Sequence, residues 1–370
     1  MNTAFDSTQL FKSLSQGREE SFKALAALPW PNFKDEDWKY TSLNALAQAS
    51  CVPSSKPFVF ENCQKFLTNA PLIKENVNPG GLFKALNRIF SPSCQMIDIP
   101  PGLEVNLPLK IVYALNASDN GKAFFPGLTI RLGKGARARI LQIFSSRNAA
   151  GILIDDVNDI MLEPEAELEL VQIFLNDAQS FQISHTHVHQ KKDSRLRMFQ
   201  YTDGANVFRN NLNVVLDAEG SETVLNGLHD LKDIRQADSH TFVDHVAPNA
   251  RSNQLYKSIL DGESRSVFNG KILVRREAQL TNSYQLNKNL LLSRDARVDT
   301  KPQLQIYADD VKCSHGATIG QLDDEQLFYL QTRGVGKDDA RKMLIRGFVD
   351  DVINQVKDLG LKKSLLEAIS

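Results

Sequence analysis

The sequence predicts a mainly β protein: a parallel β-helix over residues 96–320, with a helical region before it at 1–95 and another after it at 321–370. Two observations carry that reading. First, the middle of the chain is a succession of short alternating segments. Examples are Leu128-Thr-Ile130-Arg-Leu132, Leu168-Glu-Leu170-Val-Gln-Ile173-Phe and Leu304-Gln-Ile306-Tyr, whose alternation suits strands with one face in a core. Second, a loose repeat punctuates them: an aliphatic residue, three turn formers, then a small residue. It occurs at Leu132-Gly-Lys-Gly-Ala136, Leu162-Glu-Pro-Glu-Ala166, Leu216-Asp-Ala-Glu-Gly220 and Val246-Ala-Pro-Asn-Ala250. Further copies are Leu260-Asp-Gly-Glu-Ser264, Val274-Arg-Arg-Glu-Ala278 and Leu292-Ser-Arg-Asp-Ala296. Their spacing fits multiples of a unit of about 14 residues, or a coil of about 30 with two similar corners. Units that cannot bury a face alone must stack. The corners are short and no helical crossover separates the strands, which favours the β-helix. A β-sandwich is the competing reading of so many short strands.

The N-terminal region reads as broken helices. Phe11 and Leu14, then Phe22, Leu25 and Ala26, recur at helical spacing until Pro29-Trp30-Pro31 stops the pattern. Asp35-Glu-Asp-Trp38-Lys-Tyr40-Thr41-Ser42 starts another short helix, with acidic residues at its positive end. Gly80-Gly81-Leu82-Phe83-Lys-Ala-Leu86-Asn-Arg-Ile89-Phe90 is a further amphipathic piece. After the strands, Asp323 is placed to cap a helix, with Gln326 three residues on, and Gly334 to end it. The next helix carries Ala340, Leu344, Phe348 and Val352 at every fourth position, beside Ile345, Val349, Ile353 and Val356. That stripe is wider than a small helix needs, so it either caps the solenoid end or receives a partner protein.

Composition excludes several function classes. Lys plus Arg is 43 and Asp plus Glu is 44, so no bulk charge favours nucleic acid or an anionic membrane. No apolar run approaches the roughly 20 residues needed to span a bilayer, and Met1-Asn-Thr-Ala-Phe-Asp lacks the parts of a secretory signal. Cys51, Cys63, Cys94 and Cys313 are scattered, without the spacing of a disulfide framework or a self-contained zinc site. A cytoplasmic protein with reduced thiols is expected. Gly133-Lys134-Gly135 and Gly336-Lys337 do not make a phosphate-cradling loop, and no GxGxxG, GxSxG or HExxH signature occurs. The carbohydrate-active enzymes built on β-helices are a remote alternative. Both tryptophans lie in the N-terminal part, and no aromatic-lined acidic cleft is evident.

The strongest chemical signal is Tyr307-Ala-Asp-Asp-Val-Lys-Cys313-Ser-His315-Gly-Ala-Thr-Ile-Gly, at the end of the strand-like region. Residues at i and i+2 of a strand share a face, so Cys313 and His315 are presented together. A thiolate beside an imidazole suits iron–sulfur chemistry, zinc or copper(I), but two ligands do not close a site. Without that context the pair is a strand end with a packed thiol and a bonded histidine. The row His185-Thr-His187-Val-His189 also shares a strand face. No carboxylate lies at a helpful spacing and Lys191-Lys192 follows, so a solvated polar face is expected rather than a metal site. His229, His240 and His245 stand among Asp230, Asp233, Asp238 and Asp244 in turn contexts, without a ligand motif.

One pattern runs through His240-Thr-Phe-Val-Asp-His245 with Pro248-Asn-Ala, Gln254-Leu-Tyr-Lys-Ser-Ile-Leu-Asp-Gly262 and Ser266-Val-Phe-Asn-Gly-Lys-Ile. It continues through Gln285-Leu-Asn-Lys-Asn-Leu-Leu-Leu-Ser293, Thr300 to Gly320, and Leu327-Phe-Tyr-Leu-Gln-Thr-Arg-Gly334. On these motifs the chain from Leu212 to Phe348 resembles the SufB/SufD family of iron–sulfur cluster assembly proteins, and Leu28-Pro to Thr41 looks like that family's aromatic N-terminal motif. Length, the N-terminal helical segment and the few cysteines bring it nearer the SufD branch. The resemblance implies a right-handed parallel β-helix and a non-catalytic scaffold that pairs with SufB. It implies that the C-terminal helices bind the SufC ATPase, through positions such as Leu327, Leu330, Arg333, Ala340, Leu344 and Phe348. Cys313 and His315 match the functional Cys-x-His, implying a transient iron–sulfur cluster shared with SufB. Complexes of this family are also linked to reduced flavin, although no residues here locate such a site, and a homodimer without SufB is a further implication.

Overall fold

The computed structural model describes residues 7–16, 25, 28–70, 81–91 and 94–369. Phe22, Ala26 and Gly80, assigned above to helices, lie outside the described residues. Two stacked sheets run the length of a parallel β-solenoid. The first is eleven-stranded, in the order Arg297–Ile306, Arg265–Val274, Gln236–His245, Val207–Leu216, Phe181–Gln190, Leu153–Leu162, Gly127–Leu132, Cys94–Ile99 and Leu67–Ala70. Val52–Ser54 and Lys122–Phe124 pair at its side. The second is nine-stranded: Val59–Glu61, Leu109–Ala114, Arg137–Ser145, Glu167–Leu175, Arg195–Thr202, Glu222–Leu231, Arg251–Leu260, Asn282–Leu291 and Lys312–Gln321. From Gly127–Leu132 onward the strands alternate between sheets, so each pairs in parallel with the next but one. Gln236 lies opposite Arg265, and Arg265 opposite Arg297. The coil is therefore about 30 residues, as the repeat implied.

The repeat marks the corners. Its small residues Ala136, Ala166, Ala250, Ser264 and Ala278 are wholly buried where the chain turns inward. Just before the first four of them the backbone adopts a left-handed conformation, with φ of 66° at Gly135, 63° at Glu165, 60° at Asn249 and 66° at Gly262. Successive corners then hydrogen-bond to each other: Glu165 N–H donates to Lys192 O at 2.8 Å and Asp193 N–H to Glu219 O at 3.0 Å. Gln190–Ser194 and Leu231–Arg235 are corners of the same shape that the motif missed. One has Gln at the aliphatic place and the other Arg at the small place.

Lumen packing changes along the axis. Near the N-terminal end, aromatic rings stack from coil to coil: Tyr113 to Phe144 at 6.0 Å, Phe144 to Phe174 at 5.3 Å and Phe174 to Phe208 at 4.9 Å. Each such ring contributes roughly 1.5–3 kcal/mol by burial. Beside them runs a buried amide ladder, Gln142, Gln172 and Gln200, linked at 2.8 and 2.9 Å. Near the C-terminal end the buried lumen residues of Asn282–Leu291 are Ser283, Gln285, Asn287 and Asn289.

Helices cover both flanks. Helices α1 (Gln9–Leu14), α2 (Asn44–Gln48) and α3 (Gly81–Phe90), with the Trp30 segment, place Leu10, Leu14, Leu46, Phe83 and Leu86 against Phe181, Ile183 and Val207 on the outer face of the first sheet. The region expected to be only helical also supplies Val52–Ser54, Val59–Glu61 and Leu67–Ala70 to the sheets. The segment at Asp35 makes only one 3-10 turn, Glu36–Trp38. At the other end come α4 (Asp324–Thr332), α5 (Lys337–Ile353) and α6 (Leu359–Ile369). Asp323 caps α4 by accepting from Glu325 and Gln326 N–H at 2.8 and 3.2 Å, and Gly334 ends it at φ 85°. Helices α5 and α6 do not cap the solenoid end. They pack along its flank, with Val349, Val352, Ile353, Leu361 and Leu365 against Val171, Ile173, Phe199, Tyr201 and Ile259 of the second sheet. Lys257 pins α5 there: its buried Nζ donates to Phe348 O at 2.5 Å, pairs with Asp351 and lies 4.4 Å from the Phe348 ring. Among the described residues, no helix is long and apolar enough to cross a membrane.

Candidate functional site

The two sheets close differently at their two ends. At the N-terminal end the short strands Val59–Glu61 and Leu67–Ala70 pair antiparallel onto the first coils and cover them. At the C-terminal end, among the described residues, Arg297–Ile306 pairs only with Arg265–Val274, and Lys312–Gln321 only with Asn282–Leu291. Among those residues each sheet stops on a strand edge whose outer row of N–H and C=O groups meets no further strand. Pro302 belongs to that setting, since a residue without an N–H is tolerated on an edge strand. Tyr284, Ile306, Tyr307 and Ile319 gather exposed apolar surface around the same end.

Cys313 and His315 sit on the last strand, opposite Ser283 and Gln285. Both of those residues are buried in the lumen, so Cys313 and His315 share the lumen-facing side, as their spacing predicts. Cys313 is half-buried and packs against the main core, whereas His315 is exposed. Burial pushes the Cys313 thiol up, and a backbone hydrogen bond from Ser283 pulls it partly back. Cys51, Cys63 and Cys94 are buried, and burial lifts the first two thiols to about 11, which marks them as structural. Cys313 is thus the cysteine a ligand or another chain can reach.

Two polar columns descend from this pair. Beneath Cys313, Ser283 Oγ lies 2.7 Å from Ser252 Oγ, which lies 2.9 Å from His245 Nε2. Burial lowers His245 to about 4, so it is neutral. Beneath His315 stand Gln285 and then Gln254, whose Oε1 accepts from Thr241 at 2.8 Å. Thiol and imidazole are a fitting donor set for iron or zinc, and alone they fill half a tetrahedron. Among the described residues no group of three or more His, Cys, Asp and Glu could hold a metal ion.

The other histidines do structural work. The row His185, His187 and His189 is not a solvated face: α3 covers it, leaving His185 7% and His187 6% exposed. Lys84 of α3 reaches His187 Nε2 at 3.0 Å, and Asn87 donates to Asp155 O at 2.5 Å. His229 sits between Ser266 and Ser239 hydroxyls, each at 2.8 Å, and His240 pairs with Asp238 at 3.0 Å. Asp238 anchors the aromatic N-terminal motif, a role the sequence alone did not disclose. Its carboxylate takes Arg209 Nη1 at 2.7 Å and Thr41 Oγ1 at 2.5 Å, while Arg209 also stacks 4.4 Å from the Trp38 ring. Arg209 and His240 hold the Asp238 carboxyl far below the usual range, despite burial.

The expected partner helices form a second surface. A groove between α4 and α5 is lined by Phe328, Tyr329, Leu330 and Leu344 and edged by Asp323, Asp324 and Glu325. Leu327 is half-buried, Arg333 exposed, and Ala340 buried, while Phe348 packs on the flank over Lys257.

Residues 113–348 match the family described as SUF system FeS cluster assembly, SufBD core domain. An iron–sulfur cluster assembly SufBD family protein of Synechocystis is 29% identical over 406 aligned positions, spanning 95% of this chain and 90% of that protein. SufD of Escherichia coli is 36% identical over 238 positions, which span 64% of this chain and 56% of that protein. A SufBD family protein of Mycobacterium leprae is 28% identical over 382 positions, spanning 99% and 96%.

Proposed function

The chain belongs to the SufBD core-domain family of the SUF system of iron–sulfur cluster assembly, and we propose that it acts there as a SufD-like, non-catalytic scaffold subunit. In this reading it pairs with SufB through the open end of the solenoid and carries the SufC ATPase on its C-terminal helices. Cys313 and His315 are its share of an assembly site whose cargo is the nascent cluster. The observation that carries the reading is that open end: two strand edges unpaired among the described residues, with a thiol and an imidazole on the lumen side of the last strand. A strand edge of this kind pairs readily with another chain, and a half-filled ligand set needs that chain to complete it. The apolar, acid-edged groove of α4 and α5 supports a second partner on the flank. The free cysteines fit a cytoplasmic setting. A homodimer in the absence of SufB would use the same edges.

The test is assembly of the complex with SufB and SufC, in wild-type and His315→Ala forms. Co-purification of all three chains is expected, with cluster assembly in cells lost in the variant. Undiminished assembly would remove His315 from the mechanism. A purely structural role, stabilising SufB and recruiting SufC, is the second reading, and the packing of Cys313 against the core favours it. Full activity of a Cys313→Ala/His315→Ala double variant in an intact complex would establish that role.

A further inference from the structure

Among the described lumen residues near the open end, Gln285 is the one whose side-chain amide is left without a partner at both of its polar atoms. It is fully buried, and among the described residues neither Oε1 nor Nε2 has a hydrogen-bond partner. Its neighbours on the same strand face are each bonded: Ser283 to Ser252 at 2.7 Å, Asn287 to Tyr256 O at 3.2 Å and Asn289 to Asn287 at 2.6 Å. Most buried polar groups in native cores are paired, so an amide with both atoms orphaned calls for a reason. The fold makes deliberate room for it. Gly270, on the facing sheet, has no Cβ; one placed there would lie 2.0 Å from Gln285 Nε2 and 2.8 Å from its Cδ. On the other side, the residue directly above Gln285 in the ladder is His315.

An imidazole that serves a metal-type ligand site must present one bare nitrogen, and the proton then sits on the other. Which nitrogen is bare is set by the acceptor that the N–H finds, and that acceptor is a backbone carbonyl, a carboxylate or a similar oxygen. We propose that Gln285 is a positioning residue for His315: its buried amide oxygen receives the imidazole N–H when the site is assembled, fixing the tautomer and the direction of the bare nitrogen. This rests on the assignment of His315 to the shared site. It adds that the site extends one coil into the lumen, through His315 to the Gln285 amide packed against Gly270. Gln254 is less suited to the task, because it stands a strand further down and its oxygen already accepts from Thr241.

The experiment uses the complex with SufB and SufC, carrying ¹⁵N-histidine in this chain, read by solid-state NMR of the ring nitrogens. His315 is expected to show one neutral tautomer in the wild type and a mixture of both in Gln285→Leu. Gln285→Glu, which keeps an acceptor oxygen, restores the single form. Cluster assembly falls about 10- to 100-fold in Gln285→Leu, the usual effect of losing a ligand's hydrogen-bond partner. Adding Gln285→Leu to His315→Ala produces no further loss. Gly270→Ala, which displaces the amide from the opposite side, reproduces the mixed tautomer with the residue itself unchanged. A single tautomer retained in both Gln285→Leu and Gly270→Ala would overturn the proposal. If His315→Ala abolishes assembly while Gln285→Leu leaves it intact, Gln285 loses its role and the shared-site reading stands. If His315→Ala assembles normally, the shared-site reading fails, and the tautomer measurement still decides whether Gln285 holds the ring.

Discussion

The two ends of the solenoid are built for different purposes. At the N-terminal end the chain covers its own strands, fills the lumen with stacked rings and clamps an N-terminal segment to the flank with buried charges. At the C-terminal end, among the described residues, both sheets stop on strand edges that meet no further strand, and the lumen turns to Ser283, Gln285, Asn287 and Asn289. One end holds the fold together. In the proposed reading the other gives up packing and hydrogen bonds for another chain to complete, and such sites are where natural sequences depart from local consistency.

The largest effects should separate the ends by stability. Phe174→Ala empties the ring stack and is expected to cost about 3–5 kcal/mol, read as a lowered denaturant midpoint. Leu304→Ala, at the half-buried open end, should cost only about 1 kcal/mol because water already reaches the site. Equal losses would erase the distinction. Arg209→Met strands the Asp238 carboxylate beneath the N-terminal segment, and about 3–5 kcal/mol should be lost. Amide exchange should rise first around Trp38.

A smaller effect sharpens the comparison through pH. Asp156 faces the lumen among the closed coils. Burial pushes its carboxyl up to about 7, against hydrogen bonds from Gln182, Ser184 and Asn158. Its folded-state value thus lies above the unfolded one, so the folded protein holds a proton that the unfolded chain has released. Stability should fall as pH rises from about 4 to 7, and Asp156→Asn should flatten that slope in urea titrations. Smaller again is Asp323→Ala, which removes the α4 cap. About 1 kcal/mol of local helix stability should go, visible as faster exchange in α4 with the solenoid unchanged.

Much of this was legible in the chain. The corner repeat identifies the solenoid because a tight turn and a buried small residue recur along the chain, and Cys313 and His315 share a face because a strand alternates. The corners at Gln190 and Leu231 escaped because a stacked corner tolerates Gln and Arg once its backbone bonds are made. His185 and His187 were misjudged for a different reason. Alternation shows that a strand has two faces but not that a distant helix, here α3 with Lys84, covers the outer one. The lumen amides Gln142, Gln172 and Gln200 are equally hidden, since a polar residue in a strand looks solvated until its ladder partner from the next coil is known. The orphaned state of Gln285 depends on Gly270 of the facing sheet, a contact no local pattern reveals.

In the proposed reading the C-terminal end is an interface awaiting another chain. Hydrogen exchange of the amides in Arg297–Ile306 and Lys312–Gln321, measured for the chain alone and after addition of SufB, tests it directly. Strong protection of both strands on mixing, with the N-terminal coils unchanged, is the predicted result. Binding of SufB that leaves exchange at both edges as fast as before would contradict the account.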